Sequence, residues 1–254
     1  MDKRIGAQLY TVRDYVKTKE DFDLSLKKLS DIGYKAVQLS GIGEIEAEDI
    51  REICDKYKIT AVCTHRSMDE YLNNLEWSID FHKKTGCTIA GLGAMPGIWG
   101  DFTEENVVEF VKDMNRISAE FKKNGISFAY HNHAVEFIKL ANGQYLMDYF
   151  IENGEFDFIV DVYWLAFAGI NPAEFIRKLG KRAIVIHFKD LKIERGNKQQ
   201  MAEVMVGNLD WDEIIKASEE AGALWAMVEQ DTCEGNPFDS LKISYDNLKT
   251  KGFN

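Results

Sequence analysis

Two of the chain's five histidines, His131 and His133, stand one residue apart in the apolar run FAYHNHAVEF (128–137), and Glu136 follows three residues later. Imidazoles exchange protons near neutral pH and ligate metals, so this spacing on one strand face presents two such groups to one space. Other apolar runs end in a similar way: Asp161 and Trp164 close FDFIVDVYW (156–164), His187, Lys189 and Asp190 close AIVIHFKD (183–190), and Glu229 and Asp231 close WAMVEQD (225–231). Gln8 with Tyr10, Gln38, and His65 with Arg66 end three more. Glu136, Asp161, His187 and Glu229 would form a mainly oxygen ligand set, suited to Mn²⁺ or Mg²⁺, compatible with Co²⁺ or Zn²⁺, and unlike a thiolate zinc site. Several buried carboxylates cannot all ionise without a cation among them, which is a second reason to expect a metal.

These groups need a scaffold that gathers the ends of many strands. Eight short apolar runs serve as candidate strands: 5–12, 36–40, 59–65, 88–95, 126–133, 156–164, 183–190 and 225–231. Amphipathic stretches at 21–33, 47–58, 74–86, 104–125, 172–180, 210–222 and 237–249 alternate with them. Several of these end in glycine, at Gly33, Gly86, Gly125, Gly180 and Gly222, as a left-handed helix cap requires. Nearly continuous apolar strands imply a parallel sheet covered on both faces, and a recurrence of about 30 residues fits βα units. The expected fold is therefore α/β, a single (β/α)8 barrel over residues 1–254, with its site at the carboxyl ends of the strands. The rival, a doubly wound sheet, should carry a glycine fingerprint in its first turn; the nearest match, Gly91-Leu92-Gly93, has Pro96 at the third position and reads as a loop.

Each residue also has a plainer reading. A lone histidine or acid at a strand end is usually a hydrogen-bonded structural group or a helix cap, and the weight here comes from four such groups on consecutive strands. His82, beside Lys83 and Lys84, reads as a surface residue. The run Glu44, Glu46, Glu48, Asp49 reads as a solvated helix start. Trp99 and Phe102 are either a satellite core contact or an aromatic wall over a ligand, and Trp211 reads as packing behind the cap Asp210. Lys189 either meets substrate oxygen or balances Asp161, Asp190 or Asp231.

Bulk composition narrows the partners. A net charge of −11 argues against nucleic acid, whose affinity for proteins comes largely from clustered Lys and Arg, and leaves small molecules as the expected ligands. The four cysteines, Cys54, Cys63, Cys87 and Cys233, form no C-x-x-C pair and read as reduced thiols. The amino terminus lacks a signal-peptide pattern, and no apolar run reaches the roughly 18 residues of a membrane span. The expectation is a cytoplasmic protein with no membrane contact, although a removed leader would leave the same sequence.

The phrases GAQLYTVR (6–13), AYHNHAVEF (129–137), DVYWLAFAG (161–169), IHFKD (186–190), VGNLDWDEI (206–214) and VEQD (228–231) together resemble the sugar phosphate isomerase/epimerase family of xylose isomerase-like TIM barrels, nearly end to end. The resemblance implies a divalent metal, most often Mn²⁺, held by Glu136, Asp161, His187 and Glu229, with His131 or His133 as the alternative ligand from the fifth strand. It implies a carbohydrate substrate and proton abstraction next to a carbonyl, with Glu136, Glu229, His131 and His133 as candidate acid-base groups. Gln8, Tyr10, His65, Trp99, Trp164 and Lys189 are the expected substrate contacts. Ketose 3-epimerases of the family often carry histidine where this chain has Trp164, which weighs against simple ketose epimerisation. The alternative is a lyase that eliminates a β-oxygen from an inosose or 3-keto-glycoside; an abasic-site endonuclease and a non-catalytic sugar-binding barrel are further contenders. Barrels of this size often form homo-oligomers.

Overall fold

A computed structural model describes residues 1–100 and 102–254 of the chain. Its strands are β1 (Gly6–Gln8), β2 (Ala36–Leu39), β3 (Thr60–Thr64), β4 (Ile89–Leu92), β5 (Ser127–His131), β6 (Asp157–Asp161), β7 (Ala183–Phe188), β8 (Asp190–Glu194), β9 (Lys198–Ala202) and β10 (Trp225–Val228). All but β8 and β9 close a parallel barrel in the order β1-β10-β7-β6-β5-β4-β3-β2. The helices are α1 (Lys19–Ile32), α2 (Ala47–Tyr57), α3 (Met68–Asn73), α4 (Leu75–Thr85), α5 (Glu104–Lys123), α6 (Leu146–Asn153), α7 (Val162–Phe167), α8 (Pro172–Leu179), α9 (Trp211–Ala221) and α10 (Pro237–Lys249). The expected (β/α)8 barrel is the observed fold.

Strand alternation explains how the barrel builds its site. Ala36, Cys63, Ile89, Ala129, Ile159, Val185 and Met227 belong to one buried apolar cluster and come one each from seven consecutive strands around the barrel. Two residues further along each strand comes the next layer on the same face: Gln38, His65, Gly91, His131, Asp161, His187 and Glu229, with Gln8 two after Gly6. The apolar layer plugs the barrel and the polar layer is its lid. Gly91 has no side chain for a physical reason, since a Cβ there would lie 2.9 Å from Cδ2 of His65.

Several elements differ from their sequence expectation. The first strand stops at Gln8, and the chain turns into a 3-10 helix, Leu9–Tyr15, because the Gln8 side chain accepts from the Tyr10 amide. The sixth strand stops at Asp161, which caps α7 by accepting from the Trp164 amide. The short helices α3 and α6 and the antiparallel hairpin β8–β9 fall where no element was expected. The hairpin strands, DLKIE and KQQMA, are rich in polar residues and lack the continuous apolar run of a barrel strand. The five expected cap glycines all have positive φ.

His82 is a correction: it is fully buried, not on the surface, with Nε2 2.9 Å from the Thr64 hydroxyl and Nδ1 2.6 Å from the Ser78 carbonyl. Its lysine neighbours mark the opposite face of α4, because adjacent helix positions point about 100° apart. Trp211 is buried as expected. The four cysteines are free thiols. Among the described residues, no helix is long and apolar enough to cross a membrane.

Candidate active site

Asp161 and Glu229 are each held through one carboxylate oxygen, which leaves the other oxygen for the site. Asp161 Oδ1 accepts from the Trp164 amide at 3.1 Å, and the Asp161 amide donates to Asn132 Oδ1 at 2.9 Å. This fixes Oδ2 toward His131 Nε2 at 3.4 Å, Lys189 Nζ at 3.3 Å and His187 Nδ1 at 3.8 Å. Glu229 Oε1 accepts from Gln8 Nε2 at 2.8 Å, which aims Oε2 at His187 Nδ1, 2.8 Å away, and at Lys189 Nζ, 3.5 Å away.

The two imidazoles repeat one pattern. His131 Nδ1 donates to the Gly93 carbonyl at 3.3 Å, and His187 Nε2 donates to Gln38 Oε1 at 2.8 Å. Each ring therefore spends its first nitrogen on a neutral acceptor and turns the other toward carboxylate oxygen. A bare lone pair facing a carboxylate is repulsive, so the arrangement needs a cation or a proton between them. Metal-ligating histidines have this organisation, with the outer N–H hydrogen-bonded and the inner nitrogen free. One ligand atom from each of His131, Asp161, His187 and Glu229 lies within 4.8 Å of the others, and all four residues are buried. This group could hold a divalent metal.

The charges follow from burial and from these neighbours. Burial pushes His131 down to about 4, helped by the imidazoles of His133 and His187 against the pull of Asp161. Burial also opposes charge on His187, but Glu229 and Asp161 outweigh it and hold that ring up at about 9. His65, buried and 4.9 Å from the His131 ring, is held well below its ordinary range, so it is neutral; its Nε2 has no partner among the described residues. Burial works against the carboxylates of Asp161 and Glu229, yet Lys189 and the histidines keep both ionised. Lys189 is itself buried, 2.8 Å from Asp231 Oδ1, and it meets Asp161, Glu229 and Asp231 but not Asp190.

A cavity of about 660 Å³ opens over this layer at the carboxyl end of the barrel. Of the expected catalytic and substrate residues, Gln8, Tyr10, His65 and Trp99 line it, together with His131, His133, Lys189 and Glu229. Trp99 is 65% exposed and meets the His133 ring edge-on at 4.8 Å, so it is a wall of the cavity and not a core contact. Trp164 stands behind His133, with ring centroids 5.6 Å apart, and its Nε1 is buried without a partner among the described residues. Glu136 is fully buried away from the cluster of four; it accepts from the Tyr130 hydroxyl at 2.7 Å and the His133 amide at 2.8 Å. With both oxygens so engaged it shapes the turn that presents His133, while His131 is the fifth-strand residue that reaches the cluster.

Two of the polar strand ends named from sequence have supporting parts, and one further contributor was not expected. Gln38 orients His187 from its position in the inward polar layer. Asp231 lines the cavity and pairs with Lys189, one of the partners expected for it. The Gly93 carbonyl orients His131, and as a backbone group it leaves no signal in residue type.

A closed parallel barrel with a buried histidine-carboxylate cluster at the carboxyl ends of its strands is a TIM-barrel fold with a polar cluster where such barrels carry their sites. The chain belongs to the xylose isomerase-like TIM barrel family, whose model matches residues 26–250. Similar solved structures include a sugar phosphate isomerase/epimerase from Parabacteroides distasonis, 22% identical over 98% of this chain and 94% of that one, with a TM-score of 0.81. A probable 3-DHS dehydratase from Bacillus anthracis is 15% identical, covering 97% and 98% of the two chains at a TM-score of 0.73. A xylose isomerase-like TIM barrel protein from Mycobacterium smegmatis, solved in complex with magnesium, is 12% identical over 98% and 97% at 0.74. No curated protein sequence matches the chain. At these identities the solved structures speak for the fold alone.

Proposed function

We propose that the chain is a divalent-metal-dependent carbohydrate isomerase or epimerase that works by removing a proton next to a carbonyl. The observation that carries this reading is the pair of imidazoles, each hydrogen-bonded outward and turned inward onto Asp161 and Glu229. His131, Asp161, His187 and Glu229 would hold the ion, and mixed imidazole and carboxylate donors favour Mn²⁺ over Mg²⁺. When bound, it would supply a Lewis acid that stabilises negative charge developing on sugar oxygen.

The chain's own residues divide the remaining work. His133 lines the cavity between Trp99 and Trp164 and serves as the base for the carbon acid. Glu136 keeps its backbone in place through the 2.8 Å bond to the His133 amide. Gln8 holds Glu229, and Lys189 on the cavity wall supplies an ammonium toward substrate oxygen. Trp99 and Tyr10 offer flat apolar faces to a sugar ring.

The lyase version of this chemistry has one observation in its favour. His65 is a further imidazole on the cavity wall outside the cluster of four, so an N–H that hydrogen-bonds a departing oxygen is available, while His133 returns to that oxygen the proton it took from carbon. Metal analysis of protein purified without chelator, combined with proton NMR in D₂O over ketoses, inososes and 3-keto-glucosides, tests the proposal. Metal-dependent deuterium incorporation at carbon is expected, with an isomer or an eliminated product distinguishing the two reactions. No exchange after reloading with Mn²⁺, Mg²⁺, Co²⁺ or Zn²⁺ would overturn it.

A further inference from the structure

A second cavity of about 680 Å³ lies beside the first, between the loop after β2 and helix α4, and the two share His65, Arg66 and Ser67 as a common wall. Ligand pockets of about 300–1,000 Å³ hold drug-sized molecules, so the first cavity alone exceeds the needs of one sugar ring and the joined space suits two.

The walls of the second cavity describe their ligand. Trp77, 52% exposed, presents an indole at its edge. Arg66 lies against that ring at 4.8 Å and against Phe81 at 3.9 Å, and Glu70 holds its Nη1 at 3.0 Å. Glu70 is itself fixed by the Ser78 hydroxyl at 3.3 Å. The opposite wall carries Glu44 and Glu46, exposed and without an ion pair among the described residues, whereas Lys84 is already taken by Glu48 and Asp80 at 3.0 Å each. Carboxylates outnumber cations here, which disfavours phosphate or any other anion. Carboxylates accept hydrogen bonds from hydroxyls, a guanidinium donates to them, and an indole covers the apolar face of a ring. A neutral polyol satisfies all three.

We propose that this second cavity is a subsite for a neutral sugar ring, so that the substrate is a disaccharide or glycoside whose reacting ring occupies the first cavity. This rests on the carbohydrate reading of the first cavity. The test is isothermal titration calorimetry of the Mn²⁺-loaded protein with glucose and with a set of α- and β-linked glucose disaccharides, repeated on Trp77→Ala and Trp77→Phe. At least one disaccharide should bind about tenfold more tightly than glucose, one aromatic contact's worth of affinity or slightly more. Trp77→Ala should cut that advantage about three- to tenfold, and Trp77→Phe should restore most of it. Equal affinity for glucose and every disaccharide, or an advantage indifferent to Trp77→Ala, would overturn the subsite. Deuterium exchange measured on the same samples separates the two proposals: exchange without a disaccharide advantage removes only the subsite, and a Trp77-dependent advantage without exchange removes only the carbon-acid chemistry.

Discussion

Asp161 ends the barrel strand β6 and Asp190 opens the hairpin strand β8 just after β7; both are fully buried, and their surroundings differ. Asp190 is saturated by N–H groups. Its Oδ1 accepts from the Leu191 amide at 2.7 Å and the Leu209 amide at 3.3 Å, and its Oδ2 from the Gly207 amide at 2.9 Å and the Trp211 indole at 2.7 Å. Gly207 must be glycine for this approach, because a Cβ would fall 2.5 Å from Asp190 Oδ1. This knot ties the base of the β8–β9 hairpin to the start of α9. Asp161 instead keeps one oxygen for cations, with Lys189 and two imidazoles around it. Neutral donors surround Asp190, whereas an ammonium and two imidazoles surround Asp161. Burial alone does not tell them apart; the nature of the partners does.

Two substitutions should break the comparison in opposite ways. Asp190→Ala strands three backbone N–H groups and an indole N–H, each costing about 1–3 kcal/mol, and should destabilise the fold by about 5 kcal/mol in denaturant unfolding. Asp161→Asn is nearly isosteric and keeps the cap on α7, so its unfolding midpoint should barely move while turnover falls more than about a hundredfold, beyond what loss of an outer-shell partner costs. Equal stability losses in both variants would erase the distinction. Lys189→Met comes next in size. It removes the ammonium that balances Asp161, Glu229 and Asp231, and breaking such a buried pairing costs about 3–5 kcal/mol. Added Mn²⁺ should raise the melting temperature of Lys189→Met more than that of the parent, because the ion then supplies the only strong positive charge between the carboxylates. A variant as stable as the parent without metal would show that the lysine does not serve as their counter-charge.

The barrel was legible because its strands are apolar, evenly spaced and separated by capped amphipathic helices, and the polar layer because alternation carries it two residues beyond each apolar plug residue. His131, His187 and Glu229 stand out in that pattern. What composition and spacing could not supply is the partner of each group. Asp161 and Asp190 are indistinguishable as letters at strand ends, and Glu136 and His131 are equivalent candidates by position, although the Tyr130 hydroxyl and the His133 amide take both oxygens of Glu136. His82 was hidden by its neighbours, since two lysines beside it say nothing of the face between them. The second cavity depends on how a loop lies against α4, which local sequence does not encode.

His82 extends the comparison to a buried base with fixed partners. Burial holds it down at about 4, below its ordinary 6.5, despite the bond to the Ser78 carbonyl. Because the folded state binds the proton more weakly than the unfolded chain, stability is full above about pH 6.5 and falls as the pH drops toward 4, by about 3 kcal/mol in all. Replacing His82 with a neutral isostere, His82→Asn, should flatten that part of the pH-stability profile, and an unchanged acid slope would assign it to other groups. Gln38 gives the smallest effect and the sharpest one. Gln38→Leu removes the acceptor of His187 Nε2 without touching any of the four inward ligand atoms. A structural acceptor would cost stability whether or not metal is present. An acceptor that orients a ligand should instead weaken Mn²⁺ binding about 10–100-fold in a direct titration, as outer-shell partners of metal-bound histidines do. His187 would then be free to rotate away from Glu229, so the variant divides the cluster into groups held by packing and groups held by the ion. Unchanged Mn²⁺ affinity in Gln38→Leu would place His187 with the structural residues, beside His82 and Asp190.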